Sequence, residues 1–151
     1  MSADSTEVTE QQVQEDLMRL DAYRSQLNAL LQQYQILTNS RAEHARARES
    51  LEGVDRADPG AELLLPLGGE AFVRGSVDRE APVLIGMGSG VVVEMNRGKV
   101  TELLAQRLGR IEQAIRDVEG QMSTLDERIQ ILSRRLDELS RAGSGADVGR
   151  T

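Results

Sequence analysis

Residues 104–139 read LAQRLGRIEQAIRDVEGQMSTLDERIQILSRRLDEL. The apolar positions are Leu104, Leu108, Ile111, Ile115, Val118, Met122, Leu125, Ile129, Leu132, Leu136 and Leu139. The intervals alternate four and three across five heptads without a slip. That spacing is the seam of a coiled coil. Gly109 and Gly120 fall off the seam, where each costs about 1 kcal/mol against Ala.

Near the other end, Val13, Leu17, Leu20, Leu27, Leu31 and Tyr34 follow the same alternation with one gap at Arg24. The pattern then thins to Thr38, Arg41, Ala45 and Arg48. Thr9 and Gln12 have the spacing of a capping box. Gly53 and Asp58-Pro59-Gly60 are stop signals, because Gly accepts a left-handed cap and Pro cannot extend the ladder. The sequence thus predicts a first helix over 8–52 and a second over 98–142. The Gly- and Ser-rich remainder, 143–151, reads as a disordered tail.

Residues 61–96 change period. Glu62-Leu63-Leu64-Leu65-Pro66-Leu67 and Ala71-Phe72-Val73-Arg74-Gly75-Ser76-Val77 flank Gly68-Gly69. Val83-Leu84-Ile85-Gly86-Met87 and Val91-Val92-Val93-Glu94 flank Gly88-Ser89-Gly90. Each set reads as a hairpin. The predicted fold is α+β, a long antiparallel two-helix coiled coil with a central insert of two β-hairpins. With Glu52 level with Val100, Leu20 lies level with Leu132 and Leu27 with Leu125. Four short strands leave unpaired edges and apolar faces that one chain cannot cover. Leu63, Leu65, Leu67, Phe72, Val83, Ile85, Val91 and Val93 are therefore the expected oligomerisation residues, pairing with the inserts of other subunits, where closed symmetry would remove the edges.

Composition narrows the function. The rings are Phe72, Tyr23 and Tyr34, with no Trp, which suits aliphatic seams better than a compact core. There is no Cys, so disulfides and thiolate metal sites are excluded and a reducing cytoplasm is expected. No apolar run nears the 18 residues of a membrane span and no signal peptide is evident. The net charge is −7, a poor basis for phosphate-driven nucleic-acid binding. Lys99 is the one Lys among 18 basic residues.

Candidate sites for chemistry are few. Gly86-Met87-Gly88-Ser89-Gly90 looks like a phosphate loop, but a strand follows it rather than a helix N-terminus. His44 stands among Arg41, Arg46 and Arg48, a setting that repels metal cations, and reads as a solvated residue. Asp126-Glu127 and Asp137-Glu138 read as solvated ion-pair faces. No catalytic residue, cofactor or metal ligand is expected. At the free tip, Met18 and Ile131 are apolar off the seam, and Val8 and Val13 lie at the same end. They are either scattered surface residues or a weak binding surface.

Two long helices around LLLPLGGEAFVRGSV and VLIGMGSGVVVEMNRGKV resemble the alpha subunits of the archaeal prefoldin family, over about residues 8–142. Leu65-Pro66-Leu67-Gly68-Gly69 and Gly86 to Glu94 carry the resemblance most specifically. It implies a hexamer of two alpha with four beta subunits, a double β-barrel body and six coiled coils. It implies an ATP-independent cytoplasmic holdase that binds unfolded client proteins at the tips and delivers them to a group II chaperonin. The tip residues would be Val8, Val13, Leu17, Met18, Leu20, Leu125, Ile129, Ile131, Leu132, Leu136 and Leu139. A coiled-coil scaffold or tether for one folded partner is the alternative.

Overall fold

In the computed structural model, residues 10–147 are described, with side chains through Gly145. The order is α1 (Glu10–Arg56), β1 (Glu62–Gly68), β2 (Ala71–Ser76), β3 (Val83–Gly88), β4 (Val91–Met95) and α2 (Arg97–Asp147). Both antiparallel hairpins are present, β1 with β2 and β3 with β4, as separate two-stranded sheets. Thr9 of the expected capping box and Val8 lie outside the described residues.

The described residues form two compact units. The distal unit holds α1 up to Leu37 and α2 from Ala114; the hairpin unit spans residues 38–113. Within each unit the helices run antiparallel. In the distal unit Arg135 pairs with Asp16 and Arg128 lies over Tyr23. In the hairpin unit Arg97 pairs with Asp55.

All eleven α2 seam positions from Leu104 to Leu139 are buried or half-buried. The α1 seam differs from the one read in the sequence. Its covered residues are Val13, Asp16, Leu20, Tyr23, Leu27, Leu30, Tyr34 and Leu37, with Thr38 of the expected seam, His44 and Leu51 further on. The intervals from Val13 are three then four, so Tyr23 fills the apparent gap at Arg24. Leu17, Leu31, Arg41, Ala45 and Arg48 are exposed. His44 is half-buried rather than solvated, and its Nδ1 donates to the Ser40 carbonyl at 2.8 Å.

The helix ends also differ. α1 passes through Gly53 to Arg56, where Ala57 N–H reaches the Gly53 carbonyl at 3.1 Å. Pro59 and Gly60, the latter at φ 79°, then make a turn closed by Ala61 N–H to the Asp58 carbonyl, the type II pattern. α2 continues through Gly143 and Gly145 to Asp147 instead of stopping at Ala142. Single glycines weaken a helix without breaking it. Residues 148–151 of the expected tail lie outside the described residues. At its start, Asn96 Oδ1 accepts the Lys99 N–H at 2.8 Å, an N-cap bond.

The two hairpins repeat one design twenty residues apart. Gly68 pairs with Ala71 and Gly88 with Val91, each after a register shift. The turn residues Gly69 and Glu70, like Ser89 and Gly90, all have positive φ. That is the primed turn whose twist matches paired strands. The second hairpin lays Val83, Ile85, Val93 and Met95 on Val100, Leu104 and Leu51. Arg107 fixes its tip by donating to the Gly86 carbonyl at 2.7 Å.

Candidate functional site

Among the described residues no group of three His, Cys, Asp or Glu is placed to hold a metal ion. The phosphate-loop-like Gly86 to Gly90 forms the tip of the second hairpin, as its strand context predicts. No helix among the described residues is long and apolar enough to cross a membrane. What the chain does offer is apolar surface, in two places.

The first lies in the distal unit. Leu20, Leu125 and Leu132 are buried in the seam, and Val13, Ile129, Leu136 and Leu139 are half-buried. Seven of the expected tip residues therefore serve the helix pair itself. Leu17, Met18 and Ile131 are 48%, 65% and 64% exposed. The Asp16–Arg135 and Tyr23–Arg128 contacts bracket Met18 on α1 and Ile131 on α2, so both sit in one span of the pair. Leu31 and Ile36 are exposed too, and the sequence reading missed both as surface. Ile36 stands off every seam column, which was a usable signal.

The second lies on the hairpins. Of the expected oligomerisation residues, Ile85 is buried and Val83 and Val93 are half-buried in the chain's own core. They pack on α2 and on Leu51 of α1, and of the three only Ile85 is fully covered. Leu63 is half-buried, whereas Leu65, Leu67, Phe72 and Val91 are exposed. The opposite face of each hairpin presents Leu64, Leu84 and Val92, which the sequence reading did not select. Strand alternation explains this: in β3, Val83 and Ile85 point one way and Leu84 the other. Because the runs are apolar on both faces, the sequence could not say which face met the helix. Gly75 pairs with Leu63, and the Leu65 side chain leans over it, so an added Cβ at Gly75 would stand 3.0 Å from Leu65 Cδ1.

Polar bonds add to the apolar core of the hairpin unit. Arg97 Nη1 lies 2.8 Å from Asp55 Oδ1 with the Arg side chain largely covered, and Arg79 donates to the Asp55 carbonyl at 2.7 Å. The first bond ties the end of α1 to the start of α2, and the second ties α1 to the link between the two hairpins. The exposed Arg74–Glu62 pair at 3.7 Å contributes little.

Paired helices with an apolar α2 seam, joined by two hairpins with uncovered faces, define a class of coiled-coil assembly subunit. The sequence model of one such family, described as Prefoldin subunit, matches residues 23–142. A prefoldin subunit alpha of Methanoculleus marisnigri is 30% identical over 132 residues, covering 87% of this chain and 88% of the relative. One from Pyrococcus horikoshii is 27% identical over 122 residues, covering 80% and 82%. The solved filamentous PFD of Methanocaldococcus jannaschii superposes with a TM-score of 0.64 at 18% identity, covering 78% of this chain and 97% of that one. The chain belongs to the prefoldin family. Its resemblance is to the alpha type, and the family is one of chaperones rather than enzymes.

Proposed function

We propose that this chain is the alpha-type subunit of a hetero-oligomeric, ATP-independent holdase. Beta-type subunits cover the hairpin faces, in the expected ratio of two alpha to four beta. Non-native proteins bind the distal unit and pass to a group II chaperonin in the cytoplasm. The observation that carries this reading is the exposure of Leu17, Met18 and Ile131 beside a seam that is itself well covered. A holdase needs adaptable apolar surface without a shaped pocket, and Met supplies it. Covering one such side chain contributes about 1.5–3 kcal/mol at most, so one site is weak. Several arms acting on one client raise the effective affinity.

The test is the double substitution Met18→Ser with Ile131→Ser in the assembled oligomer. Neither residue is in the seam, so helix content and assembled mass stay unchanged. Suppression of aggregation of guanidinium-denatured lysozyme is expected to need about tenfold more chaperone, the equivalent of 1.4 kcal/mol. Full suppression at the original concentration removes these two side chains from the binding surface. Tight one-to-one binding of a single folded protein, with no suppression, would replace the holdase with a tether.

A further inference from the structure

Asp16 is only 4% exposed, a charged side chain in a column otherwise filled by Tyr23, Leu30 and Leu37. Arg135 Nε lies 3.4 Å from its Oδ2 and Arg19 Nη1 3.8 Å from its Oδ1. Oδ2 is closed to solvent, yet its contact with Arg135 lacks hydrogen-bond geometry. One heptad along, Arg128 stands 6.0 Å from the Tyr23 ring. Two arginines of α2 thus reach two members of the same α1 column, each one heptad from the next.

A buried ion pair is weak evidence for stability, and its best-attested use is to select one register over another. Here there is an alternative to reject. Leu17, Arg24 and Leu31 form a neighbouring column, one residue or about 100° of helix rotation away. It offers two leucines where the observed column offers Tyr23 and Leu30, and Arg24 could extend its stem outward from a seam. Apolar content alone hardly separates the two settings. Rotation toward the second would break the Asp16–Arg135 pair and turn Leu17 and Leu31 inward.

We propose that Asp16 and Arg135 are positioning residues that set the rotation of α1 in the distal unit and so hold Leu17 and Leu31 outside the seam, where a non-native chain reaches them. The proposal rests on the holdase reading above. Neither residue needs to touch the client.

The full chain has no Cys, so a single Leu17→Cys substitution reports the rotation through its rate of maleimide labelling. In the parent the thiol reacts as an exposed group. Adding Asp16→Ala, Asp16→Asn or Arg135→Ala is expected to slow labelling about twofold, as the side chain divides its time between the exposed and the covered setting. The exchange Asp16→Arg with Arg135→Asp restores the rate. Without the cysteine, Asp16→Asn in the assembled oligomer weakens suppression of denatured-lysozyme aggregation while helix content holds. Unchanged labelling in all three variants, or faster labelling as fraying would give, overturns the proposal, even if the melting temperature falls. Slower labelling with undiminished suppression leaves the positioning role standing and overturns its link to client capture.

Discussion

Asn96 caps the start of α2, although the sequence reading opened that helix at residue 98 and did not single it out. It precedes the first α2 residue, and its Oδ1 satisfies the Lys99 N–H. Asn96→Ala is expected to cost about 1 kcal/mol, the usual loss of an N-cap, read as a lower thermal midpoint by circular dichroism. Other residues were harder to read. The α1 seam was placed on Leu17 and Leu31 because a search for apolar side chains passes over an aspartate. Yet Asp16, Tyr23, Leu30, Leu37, His44 and Leu51 make a column with four apolar members. The rival column, Leu17, Arg24, Leu31, Thr38, Ala45 and Glu52, has three. Carrying the comparison to Leu51 would have favoured the observed seam. Polar seam positions hide from hydrophobic pattern because ion pairing with another helix, not apolarity, covers them.

The elements were legible in proportion to how fully their pattern was filled. α2 carries an apolar residue at every seam position, and all eleven are covered. The hairpins announced themselves through Gly68-Gly69 and Gly88-Ser89-Gly90, where positive φ is needed. Helix ends were misjudged because glycine was given the force of proline. Gly109 and Gly120 show the difference, since each sits inside α2 and an added Cβ would meet open space. Gly109→Ala and Gly120→Ala are each expected to raise stability by up to about 1 kcal/mol, measured by denaturant unfolding of the purified chain. The hairpin faces make a sharper test. Ile85 packs on Val100 and Leu104, so Ile85→Asp buries an unpaired charge and lowers the melting temperature of the chain alone. Leu84 is 66% exposed on the opposite face. Leu84→Asp should leave that melting temperature unchanged and block assembly with partner subunits, seen as loss of the oligomer mass. If Leu84→Asp assembles normally, the outward face of β3 is not an interface.

At the scale of the whole molecule, the two units differ in what they still lack. The distal unit closes its own seam: Leu20, Ile115, Val118, Leu125 and Leu132 are all buried within it. The hairpin unit buries Ile85, Val100 and Leu104, but leaves Leu64, Leu67, Phe72, Leu84, Val91 and Val92 uncovered. Both its sheets stop at two strands, so every hairpin has edge N–H and C=O groups without ladder partners. An isolated two-stranded sheet is marginal in water. Stability of that unit should therefore depend on association, while stability of the distal unit should not. Amide hydrogen exchange followed by mass spectrometry separates the two. Adding a beta-type prefoldin subunit to the chain is expected to slow exchange strongly in β1 to β4. Exchange in residues 13–37 and 114–139 should change little, because those amides are already held by helices paired within the chain. Equal slowing in both units would mean that partners clasp the distal helices as well, and the apolar residues exposed there would belong to assembly rather than to capture.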